Sequence, residues 1–149
     1  MAMKMSGEVS LPASRDVVWA KLNDPEVLKL CIPGCEELVK DDDTHFSAVA
    51  KIKLGPVKAT FRGKVALSDI DAPNGYTISG EGEGGIAGFA KGGAKVALSD
   101  AEGGGTLLTY EVDAQVGGKI MQLGSRLIDS VAKKYADEFF TKFADAVAV

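Results

Sequence analysis

Cysteine, histidine and tryptophan are scarce in this chain, whose 149 residues hold two cysteines (Cys31 and Cys35), one histidine (His45) and one tryptophan (Trp19). A structural zinc site takes about four protein ligands, and these three Cys and His residues fall short of that. No structural metal is expected. The cysteines read as free thiols. Long apolar runs are missing too: nowhere do roughly 18 apolar residues stand together, as a spanning helix requires, and MAMKMSGEVS lacks the apolar heart of a signal peptide. A soluble, cytoplasmic protein is the expectation. Positive charge is also in deficit, with 17 Lys and Arg against 21 Asp and Glu, a net charge of -4 and a pI near 5.0. The diffuse basic field that draws proteins to nucleic acid is absent, and nucleic acid is not an expected partner.

What the chain has in excess is glycine, 18 of 149 residues against about 7% in ordinary proteins. Its length fits one domain with a proper core, spanning 1–149. Met3 to Leu11 reads as a strand. Pro12 and the N-cap candidate Ser14 then start a short helix through Leu22, and Asp24 with Pro25 starts a second through Leu30. CIPGC, with Pro33 and Gly34 where a type II turn wants them, is a tight joint.

From Cys35 onward the period becomes two. Phe46, Ala48, Ala50, Ile52 and Leu54 share a face, and so do Val57, Ala59, Phe61, Gly63, Val65 and Leu67 after the Gly55-Pro56 turn. Tyr76, Ile78, Gly80 and Gly82 continue that face. Ala90, Gly92, Ala94, Val96 and Leu98 follow, then Leu108, Tyr110, Val112, Ala114 and Val116. Turn signals separate the runs, so the sheet is expected to be antiparallel. From Gly118 to about Ala146 the apolar residues recur every three or four positions, as in one long helix. A strand, two short helices, six strands and a long helix imply a seven-stranded sheet curled around the last helix, an α+β fold.

The stretch GEGEGGIAGFAKGG (80–93) contains the G-x-G-x-x-G pattern of dinucleotide sites. Such a site needs a helix directly after the turn to face the phosphates. Here the residues that follow are strand-like, and Glu81 and Glu83 inside the motif would repel a pyrophosphate. The hairpin reading instead turns near Ile86 and Ala87, puts Glu81, Glu83, Lys91 and Lys95 outside, and leaves an inner face stripped of side chains. Glycine there marks a close approach to the backbone. Either the long helix fills that space, or an apolar cavity does, with Ile86 and Phe89 at its lip.

Chemistry is thin elsewhere. His45 stands beside Asp41, Asp42 and Asp43 as a turn residue, no Ser-His-Asp triad can be assembled, and Tyr76 and Tyr110 are the inward polar groups. Val18-Trp19, NDPEVLKLCIPGCEEL, LGPVKATFRGKV, GEGEGGIAGFAKGGAKVAL, TLLTYEVDAQVGGKI and Phe139-Phe140 together resemble the CoxG family of carbon monoxide dehydrogenase subunits over essentially the whole chain. The resemblance implies the START-like (SRPBCC) helix-grip fold and a non-catalytic accessory protein. It also implies service to a molybdenum hydroxylase of the carbon monoxide dehydrogenase type at the cytoplasmic membrane, with a quinone or lipid as the bound molecule. Longer members continue into a membrane-anchoring extension, so with Val149 last, anchoring through the chain's own C terminus is not expected.

The resulting expectation is an elongated cavity opening near Ile86 and Phe89. Gly80, Gly82 and Gly92 would form its floor, and Phe61, Tyr76, Ile78, Leu108, Tyr110, Leu123 and Leu127 its walls. Lys51, Lys53, Lys58, Arg62 and Lys64 project from one outer hairpin face, either as a solvated surface or as a docking patch for anionic lipid or an acidic partner. Two alternatives stand beside the carrier: an enzyme of the cyclase or dehydratase kind with a tyrosine as acid, and an interaction module with a filled core.

Overall fold

The computed structural model describes residues 1–148; Val149, the last residue of the expected domain, lies outside the described residues. Strand β1 (Ala2–Leu11) alternates exposed and inward positions along its whole length, as a strand with one covered face must. Helix α1 (Arg15–Leu22) starts at Ser14, whose hydroxyl accepts the Val17 N–H, and α2 (Pro25–Cys31) starts at Asp24, whose carboxylate accepts the Glu26 N–H at 2.9 Å. Both caps satisfy backbone donors that a helix cannot satisfy itself. At the joint after α2, Gly34 takes φ +74° and Cys35 N–H donates to the Ile32 carbonyl at 3.2 Å. A side chain on Gly34 would also strike the Lys51 carbonyl, so both conformation and room call for glycine.

Strands β2 (Cys35–Asp42), β3 (His45–Leu54), β4 (Val57–Asp71), β5 (Gly75–Glu83), β6 (Phe89–Asp100) and β7 (Thr106–Gly117) form with β1 one sheet in the order β1-β7-β6-β5-β4-β3-β2. Every neighbouring pair is antiparallel. In such a meander the turns alternate between two ends. The β3–β4 and β5–β6 turns lie at the glycine end with the β7 exit, while β2–β3, β4–β5 and β6–β7 lie at the α1 end. Helix α3 (Ser125–Val147) runs from the glycine end to the α1 end.

The long helix starts later than the sequence pattern implies. Gly118 and Gly124 both take left-handed backbone angles, φ 84° and 88°, and between them Lys119–Leu123 forms a 3-10 turn. Ile120 and Leu123 therefore belong to this turn. Their three-residue spacing suits a 3-10 turn as well as an α-helix, which is why periodicity alone joined the two.

Side chains pack in three groups. At the α1 end Leu11, Val18, Leu98, Leu108 and Phe143 are buried together. At the glycine end Ala87, Val116, Ile120 and Ile128 are buried, with Phe61, Leu54 and Leu123 packed against them. Between the two, Phe46, Leu67 and Tyr76 form a third group bridged to the first by Trp19 and Val96.

A candidate ligand cavity under the helices

Between the concave sheet face, α2 and the C-terminal half of α3 lies a cavity of about 340 Å³. Inward positions of β4 to β7 supply Val65, Leu67, Ile78, Ala94, Val96, Leu108 and Val112, β1 supplies Met5, and α3 supplies Ala136, Phe139 and Phe140. Period-two alternation aims the strand residues, and four-residue spacing on α3 aims Ala136 and Phe140. Leu22, Leu28, Ile32 and Leu38 close the side toward α1 and α2. The volume falls at the low end of the range of small-molecule sites, which are mostly apolar with a few placed polar groups.

Here those polar groups are the hydroxyls of Tyr76 and Tyr110, the only side-chain oxygens in the lining. Tyr76 is buried, 7% exposed, with its ring 5.2 Å from that of Trp19. Burial pushes its phenol up to about 12, so at neutral pH it is a hydrogen-bond donor. Tyr110 lies over Gly7 of the neighbouring strand, where a side chain would meet its hydroxyl first, at 2.6 Å, and then its ring, and it stacks on Phe140 with centroids 5.2 Å apart at 21°. Phe139 meets Phe140 edge-on at 5.0 Å. Neither cavity hydroxyl has a hydrogen-bond partner among the described residues, and neither is fully sealed off. Tyr135, by contrast, is engaged: its hydroxyl accepts the Lys53 N–H at 3.0 Å and ties α3 to β3.

Of the residues expected to surround a cavity, Tyr76, Ile78, Leu108 and Tyr110 line this one; the others lie elsewhere. Phe61 and Leu123 sit in the glycine-end group, and Leu127 rests against Gly55 in the β3–β4 turn. Ile86 is 90% exposed at the hairpin tip. Phe89 stands opposite Glu83 and Gly117 on the outer sheet face, covering Gly117, because its odd position in β6 opposes the inward Ala90. The cavity is thus displaced toward α1, and the tip is no lip. Phe61, Ile120, Leu123 and Ile128 fill the space between.

The three floor glycines also differ. At Gly82 a side chain would meet nothing nearer than the Arg62 carbonyl at 3.7 Å, whereas at Gly80 Val65 and the Lys64 carbonyl stand at 3.3 Å. At Gly92 it would collide with the Asp113 carbonyl and lie 2.6 Å from Ala114 Cα. Gly92 is where β6 and β7 come too close for any side chain. The lining residues the sequence reading missed carried a signal: Ala94, Val96 and Val112 lie on the inward face it defined, and Ala136, Phe139 and Phe140 follow one another on α3.

Lys51, Lys53, Lys58, Arg62 and Lys64 are all exposed on the outer face of β3 and β4. They are not a uniform patch. Arg62 faces Glu83 and Lys64 faces Glu81 across β5, Lys51 pairs with Glu36 at 3.5 Å, and Lys53 lies opposite Lys58. Glu81 in turn faces Lys91, as the hairpin reading requires. An outer concavity of about 500 Å³ beside these strands is lined by Arg62, Lys64, Glu81, Glu83 and Lys91, so it is charged where the inner one is greasy. His45 bonds the exposed Asp42 carboxylate at 2.8 Å, and the Thr44 N–H and His45 hold that carboxyl below its usual range. Cys31 is buried and Cys35 half-buried, both free, and burial raises both thiols. Among the described residues no cluster of His, Cys, Asp and Glu could hold a metal ion, and no helix is long and apolar enough to cross a membrane.

A sheet curled around a long helix, with an apolar space between them, defines a START-like helix-grip protein. A START superfamily protein from Mycobacterium smegmatis has the same fold (TM-score 0.71, 14% identity, 97% of this chain and 96% of that one). So does the ZhuI aromatase/cyclase from Streptomyces sp. R1128 (0.71, 14%, 99% and 94%). A conserved protein from Geobacillus kaustophilus is much nearer, with TM-score 0.92 and 32% identity over 98% of this chain and 95% of that one. No curated protein matches. The model of the CoxG family, a subunit of carbon monoxide dehydrogenase, matches residues 7–148, and the chain belongs to that family.

Proposed function

We propose that this protein is a non-catalytic carrier that holds a lipophilic, quinone-like molecule in the cavity under α2 and α3. In this reading it serves a molybdenum hydroxylase of the carbon monoxide dehydrogenase type at the cytoplasmic membrane. The observation that carries the proposal is the pairing of an apolar, aromatic-walled space of about 340 Å³ with two tyrosine hydroxyls in its lining. Burial of apolar ligand area, at roughly 25 cal/mol per Å², would supply the affinity. The stacked Tyr110–Phe140 pair suits a flat ring, and a neutral Tyr76 suits a ring carbonyl, which needs a donor. Family membership supports the accessory role and the partner class.

An enzyme reading draws on the same tyrosines and on the fold shared with an aromatase/cyclase. General acid catalysis also needs a base to restore the proton, and no His, Asp, Glu or Lys lines the cavity.

Trp19 makes the carrier reading testable. It is the single tryptophan and touches Tyr76, so a quinone in the cavity should quench its fluorescence. Titration with a short-chain naphthoquinone should give saturable, one-to-one quenching. Linear quenching no stronger than that of free tryptophan would refute it. Mass spectrometry of an organic extract of the purified protein identifies any retained molecule, and copurification with a molybdenum hydroxylase checks the partner.

A further inference from the structure

The charges of this protein are sorted between its two ends. The three segments at the glycine end, 51–58, 84–92 and 114–128, carry Lys51, Lys53, Lys58, Lys91, Lys119 and Arg126 and no acid of their own. Neighbours match two of these cations, Glu36 with Lys51 and Glu81 with Lys91, while Glu83 faces Arg62 beside the hairpin and Asp129 follows Arg126 by one turn, so the excess rests on Lys53, Lys58, Lys119 and Arg126. The turn segments at the α1 end, 41–45, 69–74 and 99–105, carry seven acids (Asp41, Asp42, Asp43, Asp69, Asp71, Asp100 and Glu102) and no lysine or arginine of their own, with one of the seven, Asp100, paired to Arg15 of α1 at 2.8 Å. All thirteen side chains belong to exposed residues. We propose that the glycine end docks on an anionic phospholipid bilayer, with Ile86 and Met121 entering the interface and Lys53, Lys58, Lys119 and Arg126 meeting the headgroups. The inference names the contact surface for the membrane-side role proposed above, and it rests on that reading.

Ile86 is 90% exposed and Met121 45% exposed. They sit on adjacent 3-10 turns: a side chain on Gly118 would strike Gly88, which places the two loops against each other. Scattered exposed apolar residues are ordinary. Here, however, the pair projects from the end that collects the cations, and the N-terminal, positive end of α3 points the same way. Apolar side chains inside a basic collar match a lipid interface, which offers hydrocarbon below anionic phosphate. The seven acids at the opposite end are repelled by the same bilayer, so attraction and repulsion together set one orientation.

The test is co-sedimentation of the full chain at low salt with vesicles of phosphatidylcholine alone and with added phosphatidylglycerol. Binding should require phosphatidylglycerol and weaken with salt. Each cation near an anionic surface contributes a factor of about five. Lys119→Glu/Arg126→Glu should therefore lower vesicle partition more than tenfold, and Ile86→Ser severalfold. Lys29→Glu/Lys142→Glu makes the same charge change on exposed residues away from the tip and should have little effect. Three results would overturn the inference: binding absent or indifferent to phosphatidylglycerol, an equal loss in the Lys29/Lys142 control, or no loss in Ile86→Ser. Melting temperatures establish that the variants are folded. Trp19 quenching by a naphthoquinone in vesicle-free buffer is measured separately. In the parent protein, absent vesicle binding with quenching present refutes the docking tip alone, and absent quenching with vesicle binding present refutes the carrier reading alone.

Discussion

Replacing Ala136 by leucine separates an open cavity from a filled core by the sign of the stability change. Ala136 lines the cavity from α3, beside Phe139 and Phe140. Leucine is nearly as good a helix former as alanine, so helix propensity contributes little. Three added carbons placed in about 340 Å³ of free space would bury hydrocarbon at about 0.8 kcal/mol each, a ceiling near 2.4 kcal/mol. Ordering the new side chain costs about 0.5–1 kcal/mol, leaving a gain of roughly 1.5 kcal/mol. At about 2–4 °C per kcal/mol for a chain of this size, the melting midpoint should rise by about 3–6 °C. In a filled core the same substitution would overpack and cost about 1–3 kcal/mol. The measurement is thermal and urea unfolding of protein refolded after lipid removal, with naphthoquinone titration alongside, where affinity should fall at least about tenfold (roughly 1.4 kcal/mol). A lowered midpoint with unchanged quinone affinity would refute both the free space and its use.

Between pH 10 and 12 stability should fall: the unfolded Tyr76 phenol ionises near 10 while the buried one keeps its proton to about 12. The native state then holds the extra proton, so stability on the order of 3 kcal/mol at most is lost as pH rises across that window, and urea titrations of Tyr76→Phe should lack this share. The same variant should bind a naphthoquinone about 2–10-fold more weakly, for loss of one neutral hydrogen bond. Gly92→Ala should cost about 1–3 kcal/mol because its side chain meets the β7 backbone, whereas Gly82→Ala, which has room, should be neutral or stabilise by up to about 1 kcal/mol; urea midpoints decide. Tyr135→Phe should cost about 1 kcal/mol and speed hydrogen exchange at the Lys53 amide, which loses its acceptor.

Element order and strand faces were legible because each strand keeps one face covered, and period two holds within the strands from β3 to β7, with a register shift between Ser68 and Asp71 at the end of β4. The caps at Ser14 and Asp24 were legible because their chemistry is local. The cavity's position was not. Parity tells which face a residue takes, but it says nothing of where along the strand the opposing helix stands close. Phe61 and Tyr76 share the inner face, yet Phe61 packs against the group of Ala87, Val116, Ile120 and Ile128 while Tyr76 lines the cavity. Glycine was ambiguous for a similar reason: at Gly92 it marks strand coiling, and at Gly124 it ends a 3-10 turn and starts a helix. The start of α3 depended on two backbone angles that no side-chain pattern records. For Phe89 the alternation already placed the ring outside.

The pairing of β1 with β7 sets a timetable for biosynthesis. β1's sheet partner is β7, from Ala2 beside Gln115 to Leu11 beside Thr106, and the amine of Met1 donates to the Val116 carbonyl at 2.9 Å. β1 must therefore wait for roughly a hundred further residues, about 5–20 s at ordinary synthesis rates of 5–20 residues per second. Met5 and Tyr110, on opposite sides of that late seam, are both cavity walls, and α3 is made later still. A nascent chain thus has no container in which to trap a lipid. In the carrier reading proposed above, loading therefore belongs to the finished protein.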